Sequence, residues 1–210
     1  MAWNLPSRLR HKAGRVPCAK GNTPLAWISP TRLRLAARQL RQGKLLAYPT
    51  ESVWGLGCDP ANGPAVTELL ALKGRATSKG LILIAATYEQ IEPFMDLDDQ
   101  NIQNKMLASW PGPVTWVVKA APATPHWLRG KRDTLAVRVT AHPVAKALCL
   151  AFGGAIVSTS ANRSGACPAR TQLKTRIYFK HAQLNYMPGS VGGLERPTSI
   201  FDARTGIKLR

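Results

Sequence analysis

Acidic residues are scarce in this sequence, and the scarcity is its most informative compositional feature. The 210 residues include 11 Asp and Glu against 29 Lys and Arg, which gives a formal net charge of +18. Ten basic residues precede the first acidic one, Glu51. Such a charge balance attracts polyanions, so nucleotide triphosphates and RNA are the ligands that the composition favours.

Long apolar runs and grouped metal ligands are also missing. No stretch approaches the roughly 18 consecutive apolar residues that cross a bilayer, and the N-terminus has no apolar core of a secretory signal, so we expect a soluble, cytoplasmic protein without membrane contact. The four cysteines and four histidines are dispersed, with no Cys-x-x-Cys pair. This spacing speaks against zinc sites and disulfide frameworks, and it predicts reduced thiols and no protein-bound metal.

The common nucleotide-binding and hydrolase motifs do not occur. There is no Gly-x-x-x-x-Gly-Lys-Ser/Thr phosphate loop, no Gly-x-Gly-x-x-Gly fingerprint, no Gly-x-Ser-x-Gly elbow and no His-Glu-x-x-His pair. A nucleotide would therefore bind in a less common way. Aromatic residues make up 7% of the chain and are not clustered, which disfavours a surface that stacks RNA bases.

Two regions are expected along the chain. Residues 1–28 mix prolines and glycines with basic residues and show no sustained apolar period, so they predict a flexible basic extension. An organelle-targeting peptide and a translation start further downstream remain open for this segment. Residues 29–210 predict one domain, because the length and the 45% hydrophobic content suit a single core.

Alternating helix and strand patterns in 29–210 predict an α/β sheet. The first helix is expected to begin at Ser29, an N-cap followed by proline, and to end at Gly43. The other predicted helices cover about 64–72, 99–110 and 142–152. The predicted strands cover about 44–48, 81–85, 114–119, 134–139, 155–158, 198–202 and 207–209, and the glycines at 55, 57 and 63 predict a turn.

The first segment that suggests chemistry is 73–79, which follows a predicted helix. If it is extended, Lys73 and Arg75 point to the same side, beside a backbone that Gly74 leaves accessible and close to Lys79. An arginine fork and a lysine point charge suit carboxylates and phosphates. A basic turn after a helix is more usually just a solvated helix C-terminus, which the helix dipole favours.

Two more segments follow predicted strands. Residues 157–165 offer Ser158, Ser160 and Asn162, whose hydroxyl and amide groups suit an anion or nucleotide site at the end of a strand. Residues 48–57 offer the Thr50 hydroxyl and glycines that permit close approach by a ligand. Both segments are also explained as ordinary turns, the second with Trp54 in the core.

The order and spacing of these and further segments resemble the YrdC/TsaC family of threonylcarbamoyl-AMP synthases in its short bacterial form, over residues 29–210. The segments that carry the resemblance are 48–59, 72–75, 79–83, 109–115, 136–139, 142–143, 158–162, 197–200 and 205–210. The resemblance implies a twisted mixed α/β sheet whose flanking helices form a concave basic cavity. That cavity would take ATP, L-threonine and bicarbonate.

The implied products are L-threonylcarbamoyl adenylate and pyrophosphate, for the t6A modification at position 37 of tRNA. The implied cofactor is Mg2+ on the phosphates of ATP. Implied macromolecular contacts are tRNA, through the basic surface, and the complex that transfers the threonylcarbamoyl group.

Carried onto this sequence, the resemblance implies that Thr50 binds threonine and that Lys73 and Arg75 neutralise the phosphates and the carbamate. The residues implied to complete the site are Lys79, Thr115, Arg138, Ser158, Ser160, Asn162, Thr198, Ser199 and Arg210. The sequence departs from longer relatives at Gly80, where they have proline, and at 85–86, where a histidine is missing. We expect the loss of that contact rather than of the activity.

Two other function classes stay open. An RNA-binding module without catalysis is favoured by the charge of +18 and disfavoured by the scattered aromatics. A hydrogenase maturation factor linked to carbamoyl phosphate also contains a YrdC-like domain, but its zinc-finger and acylphosphatase segments are absent here.

Overall fold

The computed structural model describes residues 28–210, which form an α/β fold built on one mixed sheet. The helices of this region are α1 Pro30–Arg41, α2 Gly63–Lys73, α3 Gln100–Ser109, α4 His126–Arg129, α5 Pro143–Phe152 and α6 Gln172–Tyr178. The strands are β1 Leu46–Pro49, β2 Trp54–Gly57, β3 Ile82–Ala85, β4 Val114–Lys119, β5 Thr134–Val139, β6 Ile156–Ser160, β7 Asn185–Tyr186 and β8 Ser199–Asp202.

The strand order across the sheet is β7-β1-β2-β6-β3-β5-β4-β8. The β1/β7, β3/β5 and β4/β8 pairs are parallel, and the remaining neighbours are antiparallel. The mixed α/β sheet with flanking helices that we expected is therefore confirmed. No helix within 28–210 is long and apolar enough to span a membrane.

The start of α1 follows the predicted capping pattern. The Ser29 hydroxyl accepts a hydrogen bond from the backbone N–H of Arg32, and Pro30 occupies the first turn. Residues 1–27 lie outside the described region, so the flexible extension expected there stays a prediction. Ile28 was assigned to that extension, but it is buried against the same cluster as Leu40, so the folded domain begins at least one residue earlier than expected.

Alternating side chains of the central strand β3 contact two separate hydrophobic clusters, one on each face of the sheet. Leu83 and Ala85 pack into the cluster that includes residues of α2 and α3. Ile84 belongs to the other cluster, which contains residues of α1 and α5. Burial on both faces explains why β3 reads as a continuous apolar run in the sequence.

Strand β2 was wrongly predicted as part of a glycine-rich turn. It pairs with β1 and β6, and the ring of Tyr48 on β1 lies across its glycines. A Cβ atom added to Gly57 would lie 2.3 Å from the carbonyl oxygen of Val157 and 2.9 Å from the Tyr48 hydroxyl. The glycine in this strand is therefore needed for close packing rather than for a turn.

Other short elements also differ from the sequence prediction. Helices α4 and α6 and strand β7 have four, seven and two residues, and none of them was predicted. Residues 207–209, expected to form an edge strand, form a single bridge between Phe201 and Lys208 instead. Elements this short carry too little periodicity to be recognised from the sequence.

The connection between β7 and β8, residues 187–198, runs between the two opposite edges of the sheet. On its way it is attached to the turn after β1. The backbone N–H of Gly192 donates to the Thr50 carbonyl at 3.0 Å, and that of Leu194 donates to the Glu51 carbonyl at 3.2 Å. His142 Nε2 donates to the Ser190 carbonyl at 3.0 Å. We call residues 187–198 the edge connection.

Candidate functional site

One cavity of about 310 Å³ collects residues from six of the strands, from the turn after β1 and from the end of the edge connection. The strand register explains how its floor is formed. Ile82 on β3 is paired with Ser158 on β6 and with Ala136 on β5, which in turn is paired with Val117 on β4. Directly paired residues share a face, so these four side chains form one row across the sheet.

The cavity has a strongly one-sided charge. Its cationic lining residues are Arg75, Lys79, Arg129, Arg132, Arg138 and Arg210. No aspartate or glutamate of the described region belongs to the lining. The lining also includes the hydroxyl residues Thr50, Ser158, Ser160 and Thr198. Permanent positive charges beside hydroxyl groups suit the binding of phosphates and carboxylates.

Strand β6 ends at Ser160, two residues beyond the end predicted at Ser158, so both serines lie within the strand. Because they are two residues apart in a strand, both side chains point to the same face. The Ser160 hydroxyl donates to Asn162 Oδ1 at 2.6 Å. The amide of Asn162 donates to the carbonyls of Arg163 and Ala166, so this side chain organises its own turn and does not line the cavity.

Lys73 does not have the geometry that we expected. The segment is not extended, because Lys73 ends α2 and Gly74 adopts a left-handed conformation with φ of 60°. The Lys73 ammonium is buried and donates to the carbonyls of Ser160 and Asn162. Lys73 therefore stabilises the end of β6 from a position outside the cavity lining, whereas Arg75 belongs to the lining.

The Lys73 ammonium lies in a desolvated environment. Burial lowers its pKa from 10.5 to about 8, and the neighbouring charge of Arg75 contributes in the same direction. The group is still mainly protonated at neutral pH. Its two carbonyl acceptors compensate part of the cost of burying the charge.

Thr50 lies at the end of β1, where the chain turns towards β2. Its hydroxyl donates to the carbonyl of Val53 at 2.7 Å, and its backbone N–H donates to the same carbonyl at 3.0 Å. The hydroxyl proton is thereby used inside the turn. Towards the cavity, Thr50 presents the lone pairs of its oxygen as acceptors.

A buried polar network holds Arg138 in the cavity wall. Arg138 donates to the Thr198 hydroxyl at 2.8 Å, and its guanidinium lies 3.4 Å from a carboxylate oxygen of Glu51. The other carboxylate oxygen of Glu51 accepts from the Thr140 hydroxyl at 2.6 Å. Arg210 donates to the carbonyl of Thr198 from two of its nitrogens, at 3.0 and 3.3 Å.

The charge state of Glu51 follows from this network. Burial by itself would raise the pKa of the carboxyl group, but the Arg138 charge and the hydrogen bond from Thr140 outweigh it, so that the pKa lies below its ordinary value of 4.5. Glu51 is therefore ionised at neutral pH. It neutralises Arg138 without itself lining the cavity.

Two of the expected site residues on β4 and β8 do not reach the cavity. Thr115 is fully buried, and its hydroxyl lies 3.5 Å from an Arg138 nitrogen. Ser199 pairs with Val114 at the start of β8 and is absent from the lining. The adjacent Thr198, in contrast, lines the cavity.

The sequence prediction missed two cations of the lining, Arg129 and Arg132, and the positioning carboxylate Glu51. Arg129 and Arg132 lie in a basic run from 129 to 132, which was a visible signal. It was overlooked because this part of the chain carries no recognised motif. Glu51 lies inside the 48–57 segment, but its role depends on contacts with residues about 90 positions away.

The lining does not fit a resident magnesium ion. Mg2+ prefers carboxylate and other oxygen ligands, whereas the charged lining residues are all cations. Residues 28–210 also contain no group of three or more histidine, cysteine or acidic side chains that could hold a metal.

Comparisons with known proteins show which family this chain resembles. The Sua5/YciO/YrdC family model, described as telomere recombination, matches residues 38–209. The threonylcarbamoyl-AMP synthase of Methylococcus capsulatus is 56% identical over 186 residues, which is 89% of this chain and 100% of that protein. The corresponding synthase of Halorhodospira halophila is 57% identical over 181 residues, which is 86% of this chain and 95% of that protein.

The fold agrees with a solved structure of P. abyssi Sua5 complexed with L-threonine, at a TM-score of 0.78 and 30% identity. The alignment covers 83% of this chain and 52% of that chain, so this chain spans about half of its length. The region that the family model matches includes the cavity lining except Arg210. This chain therefore belongs to the Sua5/YciO/YrdC family.

Proposed function

We propose that the chain catalyses the synthesis of L-threonylcarbamoyl adenylate and pyrophosphate from ATP, L-threonine and bicarbonate. The observation that carries the proposal is the cavity of about 310 Å³ in which six cations of the described residues meet several hydroxyl groups without a carboxylate. The names of the relatives support the same reaction, and they match this chain over most of its length. These relatives also favour this proposal over the hydrogenase maturation factor.

The reaction needs charge stabilisation and alignment more than it needs an acid or a base. The threonine nitrogen bonds to the carbon of bicarbonate, water leaves, and a carbamate results. A carbamate oxygen then bonds to the α-phosphorus while the bond to pyrophosphate breaks. Two anions must meet for this step, so positive charges and fixed geometry lower its barrier.

Each part of the cavity suits one part of the substrates. Thr50 presents an acceptor, which fits the amine of threonine. Arg75 and Lys79 fit the phosphates and the carbamate. Ser158 and Ser160 present hydroxyl groups on one face of β6; because the Ser160 proton is donated to Asn162, Ser158 is the donor for the threonine carboxylate or the phosphates, and Ser160 contributes an acceptor oxygen.

The wall formed by Arg138, Thr198 and Arg210 completes the nucleotide site in this proposal. Lys73, Thr115, Asn162 and Ser199 support it from outside the lining. Mg2+ enters with ATP as part of the substrate, because the triphosphate supplies the oxygen ligands that the lining lacks.

A product assay tests this function. Purified protein is incubated with ATP, Mg2+, bicarbonate and labelled threonine, and we expect pyrophosphate release that depends on threonine and bicarbonate. The labelled product should migrate as threonylcarbamoyl adenylate. Folded protein that releases no threonine-dependent pyrophosphate would refute the proposal.

The Arg75→Ala variant tests the assigned site. We expect turnover to fall at least roughly tenfold, because the loss of one charge-assisted contact costs about 1.4 kcal/mol or more. The matched control is Arg34→Ala, which removes an exposed arginine of α1 outside the cavity. Equal turnover in both variants would remove Arg75 from the site.

We propose in addition that the basic surface contacts tRNA and that the product passes to the complex that transfers the threonylcarbamoyl group. The charge of +18 supports the tRNA contact, since polyanion binding scales with the number of cations that meet phosphates.

A further inference from the structure

Two basic segments that are about 50 residues apart in sequence meet at the rim of the cavity. The first is 75–81 and the second is 128–132. The backbone N–H of Leu81 donates to the carbonyl of Leu128 at 2.8 Å, which joins the two segments directly. Both Arg75 and Lys79 of the first segment and Arg129 and Arg132 of the second line the cavity.

Two glycines allow this close approach. Gly80 has a φ of +63°, and a Cβ atom there would lie 3.2 Å from the Arg129 carbonyl oxygen. Gly130 has a φ of +65°, and its added Cβ would lie 2.6 Å from the Ser78 carbonyl oxygen. Side chains are disfavoured at both positions by backbone conformation and by space, so the contact between the segments is built into the fold.

The four cations at this contact lack acidic partners in the part of the chain that the structure describes. The ion pairs of residues 28–210 join Lys119 to Asp96 and Arg138 to Glu51. Arg75 and Arg129 each donate one N–H group to a backbone carbonyl at 3.0 Å. The Arg75 Nε–H is buried without a partner among the described residues, and the terminal guanidinium nitrogens of both arginines retain N–H groups that can bind a ligand. We call Arg75, Lys79, Arg129 and Arg132 the cationic rim.

We infer that Arg129 and Arg132 bind the β- and γ-phosphates of the nucleotide and that the cationic rim holds the departing pyrophosphate. This inference rests on the proposed function and specifies where its leaving group is bound. The inner cation Arg138 is neutralised by Glu51, whereas the rim carries four uncompensated positive charges. A triphosphate tail carries its greatest negative charge at its end, so the rim is its electrostatic complement.

The same loop offers a matched control. Lys131 lies between the two arginines, but it lines a separate surface groove with Trp127 rather than the cavity. Lys131→Gln therefore removes one positive charge at nearly the same place without touching the rim. This control distinguishes direct contact with phosphates from the electrostatic field of the whole protein.

The test compares Arg129→Gln/Arg132→Gln with Lys131→Gln in steady-state assays. For the double variant we expect at least a roughly tenfold rise in the KM for ATP and in the pyrophosphate concentration that half-inhibits the reaction. The KM for threonine should stay within about twofold. Lys131→Gln should behave like the wild type, and Arg129→Lys/Arg132→Lys should recover part of the loss because it retains both charges.

A binding measurement keeps this inference separate from the proposed function. Calorimetric titration with inorganic triphosphate needs no threonine and no turnover, and circular dichroism verifies that each variant is folded. Weaker triphosphate binding by the double glutamine variant alone supports the rim even if the wild type makes no adenylate. Unchanged binding by that variant, or an equal loss in Lys131→Gln, overturns it. A loss of tRNA binding with unchanged triphosphate binding also overturns it and assigns the rim to RNA.

Discussion

At the scale of single residues, Glu51 shows how an acid can serve a site that binds anions. It lies outside the cavity lining, yet it accepts hydrogen bonds from Thr140 and from the backbone of Ala141 and faces the guanidinium of Arg138. The carboxylate holds that guanidinium in the wall while cancelling its charge. Of the six cations in the described lining, Arg138 is thus the one whose charge is paired with a carboxylate.

Replacement of Glu51 by glutamine tests this arrangement. The amide keeps the shape and the acceptor oxygen, but Arg138 is left as a buried charge without a counter-ion. We expect the free energy of unfolding in urea to fall by about 3 kcal/mol. Glu68→Gln, an exposed change of the same chemistry on α2, should stay within about 0.5 kcal/mol of the wild type. Equal effects of the two changes would contradict a buried pair.

Lys73 predicts a particular dependence of stability on pH. Its pKa in the folded protein is about 8 against an ordinary value of 10.5. Between these two values the unfolded chain binds a proton that the folded chain has released, so a rise in pH across this window stabilises the fold. Below the window both states are protonated, and the folded state carries the full cost of the buried charge.

The measurement is urea unfolding of the wild type and of Lys73→Met at about pH 7 and about pH 10. Relative to the variant, the wild type should gain at most about 3 kcal/mol over this range. All other titratable groups are present in both proteins, so their contributions cancel in the difference between wild type and variant. A difference between the two proteins that does not change with pH would mean that Lys73 keeps its ordinary pKa.

At the scale of elements, β2 is the strand that depends most on glycine. The Gly57→Ala variant places a methyl group against backbone and a buried ring, and neither can move without disturbing the pairs β1/β2 and β2/β6. We expect a loss of roughly 3 kcal/mol or more in the free energy of unfolding. Gly55→Ala should cost less, because its nearest contacts are side-chain atoms at 3.3 Å.

The control for this prediction is Gly154→Ala, at the turn before β6. Its added Cβ would meet the Phe152 ring at 3.9 Å, which is an ordinary contact. Thermal or urea unfolding of the three variants should therefore rank Gly57→Ala below Gly55→Ala and place Gly154→Ala near the wild type. A Gly57→Ala protein as stable as the Gly154→Ala protein would contradict the packing argument.

The elements also show which features the sequence makes predictable. Strands β4 and β5 were predicted with the bounds that the structure has, because apolar residues fill them and turn residues flank them. Strand β2 was not predicted, because its glycines are required by the packing of the Tyr48 ring, and Tyr48 lies on another strand. The same limit applies to Lys73: the sequence predicted that it forms a clamp with Arg75 on an extended segment, but the end of α2 and the carbonyl partners of its ammonium are tertiary features.

At the scale of the whole molecule, the described cavity lining comes from residues between 50 and 210, whereas residues 1–27 lie outside the region that the structure describes. Those residues carry five basic and no acidic side chains, and their removal lowers the net charge from +18 to +13. We expect the truncated protein to keep turnover within about twofold and to bind tRNA more weakly at low salt. The truncation should begin at the buried Ile28 rather than after it.

Turnover assays test the catalytic part of this prediction, and tRNA retention across a salt series tests the binding part. A full-length variant with the five basic residues replaced by glutamine should reproduce the truncation. A truncated protein that is folded but inactive would contradict the prediction.

Five predicted lining residues were singled out from the residues alone, namely Thr50, Arg75, Lys79, Ser158 and Ser160, whereas Arg138, Thr198 and Arg210 came from the resemblance. The pairing of Ser158 with Ile82 and of Ile82 with Ala136 brings three distant segments together, and nothing in their local sequence sets that order of strands. For Arg129 and Arg132 the basic run is apparent in the sequence, but its contact with residues 75–81 could not be predicted from the sequence.

The edge connection has a consequence for the dimensions of the molecule. Strands β7 and β8 are separated by seven strand spacings, which amounts to as much as about 34 Å across the sheet. Twelve residues span at most about 43 Å when fully extended. The connection therefore has little slack, and its length limits how far the two edges can separate. The residue count of the edge connection thus limits deletions within it: the removal of more than a few residues would draw β7 or β8 away from its neighbouring strand, whichever residues were removed.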